Sequence, residues 1–247
     1  MGNNEYDHTI GGQKKDPSGV NASHGFMPKW GNMRDDSGGE CGVPIAKRFR
    51  MPASSPGSNG VFWYSFDSAN IHTIVLSSEH DLSSKSLQHK WLESDLRSVD
   101  REKTPWVVVE LHRPMYFNEA LWGQLATGIG MRVEFEDLLA HYNVDLVLSG
   151  HLHSYFRSCP GLFHSRCHNG GPTHISVGTA GAVMNLAPTF SNSWSIKNIQ
   201  GHLGYGRITV HNDTLMHFEF VKAGPNTDNT SGEVLDDVWI THSQDLY

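Results

Sequence analysis

Gly150-His151-Leu152-His153 places two imidazoles two residues apart, directly after the apolar run Asp145 to Ser149. In an extended segment residues i and i+2 face the same way, about 6 to 7 Å apart at Cα, so both rings would address one point. Such a pair can serve a single ion, or one each of two ions about 3.5 to 4 Å apart, as two-metal hydrolases require. His112 follows a second apolar run, Trp106 to Leu111, and meets that pair if the two runs are neighbouring parallel strands. At the start of the chain, Gly2-Asn3-Asn4-Glu5 offers amide oxygens, neutral hard donors that suit a divalent or trivalent ion. Most of the sixteen histidines, among them His24, His89, His141, His202 and His242, stand singly in polar contexts and read as surface residues.

The elements that must carry these residues alternate. Val61 to Phe66 and Ile71 to Ser78 are β-branched and aromatic runs around Asp67-Ser68-Ala69-Asn70, the pattern of a hairpin. Ser84 to Val99 has apolar residues near helical spacing, with Ser83 or Ser84 available as N-cap and Pro105 beyond its end. Trp106 to Leu111 and Asp145 to Ser149 read as buried strands, with Val133 to His141 helical between them. A β-α-β-α-β order predicts a largely parallel sheet with its site at the carboxyl ends of the strands, where the histidines fall. Thr173 to Val177, Gly206 to His211 and Leu215 to Val221 read as further strands. Residues 11 to 60, rich in Gly, Pro, Ser and Asn without a period, read as a long loop or insertion.

A chain of 247 residues, 38% hydrophobic and 18% charged, can bury one domain's core. Its 26 acidic residues outnumber 19 basic ones and no basic patch stands out, which argues against nucleic acid as a partner. No run of about 18 apolar residues would span a bilayer, and Met1 to Lys15 has no apolar core resembling a signal peptide. Cys159 and Cys167 lie close enough to close a small loop, leaving Cys41 over. Sequons at Asn21, Asn212 and Asn229 would be glycosylated in a secreted protein.

The blocks then become specific together. Gly2-Asn3-Asn4-Glu5-Tyr6-Asp7-His8 resembles the Gly-Asn-His-Glu block of the metallophosphoesterases, Leu111-His112-Arg113-Pro114-Met115-Tyr116 their His-Arg-Pro-Met-Tyr block, and Gly150-His151-Leu152-His153 their Gly-His-x-His block. The text between them resembles the purple acid phosphatases, through Phe62 to Asp67, Leu76 to Asp81, Trp91-Leu92-Glu93, Thr104-Pro105-Trp106, Val144 to Ser149 and Gly178-Thr179-Ala180-Gly181.

That resemblance implies an α/β fold, a mixed β-sandwich flanked by helices. The expected division is a catalytic domain over residues 1–223, completed by a C-terminal tail over 224–247. It implies a dinuclear centre of Fe3+ with Zn2+, Mn2+ or Fe2+, with Asn3, His112 and His151 on the exchangeable ion and His153 on the ferric ion. The family's other ligands belong to upstream Asp-x-Gly and Gly-Asp-x-x-Tyr blocks that this sequence does not contain, so the expectation is a fragment lacking the first β-α units. Asn4 stands where the family has a histidine that can protonate the leaving group; an amide cannot, and His80 or His8 is the expected substitute. Phe117 to Met131 lacks the substrate-facing histidines of plant members. The implied activity is hydrolysis of small phosphate monoesters at acid pH, in a secreted or vacuolar parent protein. A phosphodiesterase or a non-catalytic metal- or phosphate-binding module on the same scaffold are the alternatives.

Overall fold

The computed structural model describes residues 1–6, 42–224 and 231–242; the readings for His8, Asn21, His24, Cys41 and Asn229 fall outside them. Strand β3 (Trp106–Glu110) organises the larger sheet. Its three consecutive valines suit a pleat buried on both faces, and Trp106 to Val109 are all buried. β3 pairs in parallel with β2 (Ile71–Val75) and with β4 (Leu146–Ser149), and β4 in parallel with β6 (Thr173–Val177). β1 (Tyr64–Ser68) closes the predicted hairpin with β2, while β5 (Tyr155–Ser158) and β7 (Ser195–Ile199) run antiparallel at the far edge, giving the order β1-β2-β3-β4-β6-β5-β7. A second, antiparallel sheet has the order β10-β9-β8 (Val234–Thr241, Leu215–Lys222, Gly204–Asn212).

The period of two along β3 sorts its side chains between two cores. Val107 and Val109 join Ile74 and Val147 against Leu92, Leu96, Met131 and Phe135 of the helices α3 (Leu87–Ser98) and α4 (Trp122–His141). Trp106 and Val108 join Leu146 and Ile175 against Met216, Phe218, Phe220 and Ile240 of the second sheet. The result is a sandwich of a large mixed sheet and a small one, with helices on the outer face of the large sheet. Arg157 grips Asp236 at 2.7 and 2.9 Å, and the Tyr155 hydroxyl donates to the same carboxylate at 2.7 Å, tying β5 to β10 across the sandwich.

α3 begins later than the sequence suggests, with Ser86 as its cap accepting from the His89 amide at 3.0 Å. α4 begins earlier, eleven residues before Val133. Its first half holds Gly123, Gly128 and Gly130, each worth about 1 kcal/mol of lost propensity relative to alanine. Packing explains Gly128: a Cβ there would lie 2.9 Å from the Met115 carbonyl oxygen and 3.3 Å from that of Pro114. The helix therefore presses directly on the segment that follows β3. Cys159 and Cys167 form the disulfide their spacing suggested, with Cα atoms 5.7 Å apart. His89 corrects the surface reading: it is buried, stacked on Phe135 at 5.7 Å and bonded to the Glu134 carbonyl.

Candidate metal centre

Two parallel strand ends and one short helix assemble the site. The ladder between β3 and β4 continues past both strands, through the Leu111 amide to the Leu148 carbonyl at 3.0 Å and the Gly150 amide to the His112 carbonyl at 2.9 Å. His112 and His151 are thereby set side by side. α1 (Asn3–Tyr6) brings Asn3 against them, buried. Asn3 Oδ1 lies 2.7 Å from His112 Nε2 and 3.0 Å from His151 Nδ1, and the two ring nitrogens are 3.1 Å apart. One amide oxygen and two imidazole nitrogens converge on one point.

Burial is the main reason both rings stay uncharged. It holds the His112 pKa down at about 2, with help from His151, the N-terminal amine, Arg113 and His153, and the His151 pKa at about 3, with help from Arg113 and His153. Neutral imidazole is the form that donates a lone pair to a cation. The donor set of two nitrogens and a neutral oxygen fits a divalent ion such as zinc, manganese or ferrous iron.

His153 does not share that point, because the loop is not extended. His151 takes a left-handed φ of 64°, and tight turns bond the Leu152 amide to the Gly150 carbonyl and the Ser154 amide to the Leu152 carbonyl. The ring of His153 swings away and its Nδ1 donates to the Val183 carbonyl at 2.7 Å. A carbonyl only accepts, so this contact puts the proton on Nδ1 and leaves the Nε2 lone pair for a ligand. Gly178 makes the turn possible: a Cβ there would lie 1.7 Å from the Leu152 carbonyl oxygen. Among the described residues no group of three His, Cys, Asp or Glu is arranged to hold an ion.

The other predicted residues fare differently. His80 is buried between Phe62 and Trp63, ring centroids 5.0 and 5.4 Å away, with Nδ1 2.8 Å from the Ser77 hydroxyl. Its ring thus sits in a buried, aromatic setting. The backbone of Asn4 lies in α1. Asn212 is exposed at the turn between β8 and β9, its Oδ1 accepting from the Thr214 amide and hydroxyl.

Sequence reasoning missed the group behind His151. Arg113, 1% exposed, forks onto Glu79, 0% exposed, at 2.7 and 3.2 Å, and its Nη1 reaches His151 Nε2 at 3.2 Å and Gln124 Oε1 at 3.3 Å. Arg113 lies inside a recognised block, but nothing in sequence pairs it with a residue 34 positions away.

Comparison with known proteins places this geometry. A family model described as calcineurin-like phosphoesterase matches residues 1–155, and one described as iron/zinc purple acid phosphatase-like protein C matches residues 171–237. The chain belongs to the calcineurin-like phosphoesterases, on their purple acid phosphatase branch. It is 37% identical over 197 residues to purple acid phosphatase 22 of Arabidopsis thaliana, an alignment covering 78% of this chain and 43% of that protein. It is 34% identical over 201 residues to "Probable inactive purple acid phosphatase 9" of the same plant, covering 73% and 31%. The purple acid phosphatase PPD1 of yellow lupin (Lupinus luteus) seeds superposes with a TM-score of 0.77 at 29% identity, covering 99% of this chain and 40% of that one. The sandwich is thus the metallophosphoesterase fold, in a family that normally uses a dinuclear metal centre, and the chain spans less than half the length of these relatives.

Proposed function

We propose that the chain carries the exchangeable-ion side of a dinuclear centre that hydrolyses small phosphate monoesters at acid pH, with Fe3+ and one of Zn2+, Mn2+ or Fe2+ as its ions. The observation that carries this reading is the meeting of Asn3 Oδ1, His112 Nε2 and His151 Nδ1 within 3.1 Å of one another. An ion held there supplies Lewis acidity at a phosphoryl oxygen and a water acidified enough to attack phosphorus. The chain's own part is to keep three neutral donors converging through the acid range, because burial keeps both imidazoles unprotonated. His153, with its proton fixed on Nδ1 by the Val183 carbonyl, offers Nε2 to the ferric side. The Cys159–Cys167 bridge suits a secreted or vacuolar protein, since disulfides persist in oxidising compartments.

A second reading, a non-catalytic metal- or phosphate-binding module, is favoured by Asn4, an amide where the family has a proton-donating histidine. One experiment separates the two. The chain is loaded with zinc, with and without iron, bound metal is counted, and hydrolysis of an activated aryl phosphate is followed from acid to neutral pH beside His151→Ala. Metal-dependent turnover that peaks in acid and vanishes in the variant is expected. Metal uptake without turnover leaves the second reading standing, and no uptake sinks the first reading and the metal-binding form of the second.

A further inference from the structure

We infer that Arg113, clamped by Glu79, is a positioning residue that fixes the proton of His151 on Nδ1 and so holds down the affinity of the Asn3, His112 and His151 corner for a divalent cation. This rests on the metal reading above.

A guanidinium has five N–H donors and no acceptor. The Arg113 fork cannot easily turn aside, because it is sealed from solvent and held on both arms by Glu79, at 2.7 and 3.2 Å. Its Nη1 stands 3.2 Å from His151 Nε2, so that nitrogen presents a lone pair. A neutral ring then carries its proton on Nδ1, pointing at Asn3 Oδ1 and His112 Nε2. Nδ1 is the atom a cation in this corner would need.

His153, two residues on, shows the opposite arrangement, with an acceptor behind the ring and a lone pair in front. Histidines that ligate metals nearly always donate their second N–H to such an acceptor. At His151 the second nitrogen meets a donor instead. When a cation takes Nδ1, the displaced proton has two destinations. It moves to Nε2, and the contact with Arg113 Nη1 is given up, or it leaves to solvent, and the ring becomes anionic. Both oppose capture, so the corner releases its ion more readily than the donor atoms alone would dictate.

The test has a readout that needs no turnover. The full chain is labelled with 15N-histidine, freed of metal, and its imidazoles are read by long-range proton–nitrogen correlation, His151 being assigned from the signal lost in His151→Ala. An acceptor-type shift at Nε2 and a protonated Nδ1 are expected; a proton on Nε2 overturns the inference without recourse to any variant. The double variant Glu79→Gln/Arg113→Gln then removes both buried charges and places an amide behind the ring. It is expected to move the proton to Nε2 and to tighten zinc binding about tenfold, in competition with a chromophoric chelator, the scale of outer-shell changes. Zinc bound no more tightly overturns the inference. Zinc binding unaffected by His151→Ala instead condemns the metal reading, while the wild-type spectrum still judges the placement of the proton.

Discussion

Two histidine clusters at different places in the larger sheet meet opposite fates. At the metal corner, His112 and His151 face an amide oxygen, each other and a guanidinium, and both are held uncharged. Beyond α3, His72 is just as buried, yet its Nδ1 lies 2.6 Å from Asp67 and its Nε2 3.0 Å from Asp95, which also accepts from the Ser65 hydroxyl at 2.7 Å. Burial alone would lower its pKa, but the hydrogen bonds and charges of Asp95 and Asp67 more than offset it and the pKa is raised. A carboxylate faces each ring nitrogen of His72, and only the imidazolium form can donate to both. Desolvation acts in both clusters; the atoms facing the ring decide which protonation state survives.

The severest way to break the corner is Arg113→Met. It takes the guanidinium away from the buried Glu79 carboxylate, and about 3 to 5 kcal/mol of stability is expected to disappear in urea unfolding. Glu79→Gln/Arg113→Gln, with no charge left behind, is expected to lose much less, and an equal loss would show that the pair's charge is not what holds the corner.

His72→Gln sharpens the other half of the comparison. With a folded pKa above the unfolded value of about 6.5, the imidazolium's contribution is fully present below that value and is lost as pH rises through the folded pKa. Removing it is expected to cost about 1.5 to 3 kcal/mol in acid, the range for hydrogen bonds to charged groups, and distinctly less in alkali. A loss independent of pH would mean that His72 is neutral. The candidate metal corner has the reverse sign: the unfolded chain takes up protons there below about 6.5 while the folded one does not, so stability is lost as pH drops below that value.

The smallest effect belongs to a third histidine that has neither kind of partner. His174, buried on β6, leaves Nε2 without a hydrogen bond, and burial, then Arg132, lowers its pKa to about 3. His174→Phe keeps an aromatic ring beside Tyr116, 4.9 Å away, and is expected to stabilise by about 1 kcal/mol. Destabilisation of that size would show that the nitrogen is satisfied after all.

Regular burial was legible and irregular contact was not. Trp106 to Leu111, Asp145 to Ser149 and Thr173 to Val177 announced themselves because central parallel strands need apolar side chains on both faces. Their order alone put His112 and His151 together. β5 and β7, of four and five residues, escape notice because an antiparallel edge tolerates sequences such as Ser195–Ile199, in which only Ile196 and Ile199 are apolar. The first half of α4 was hidden by glycines whose purpose is close packing against a loop. The separation of His153 from His151 is invisible along the chain, because the left-handed turn at His151 depends on Gly178, a residue at the end of another strand. The Glu79 and Arg113 pair and the carboxylates around His72 arise from tertiary approach, which no spacing along the chain encodes.

The position of Asn3 has a consequence for how the molecule assembles. Its contacts with His112 and His151 bridge 109 and 148 residues of chain, whereas β2, β3 and β4 find one another over far shorter stretches. Closing so long a loop has a logarithmic entropy cost that a four-residue helix does little to offset locally. Closing the corner therefore costs more chain entropy than pairing those strands, and a cation captured there would fasten α1 to the carboxyl ends of β3 and β4.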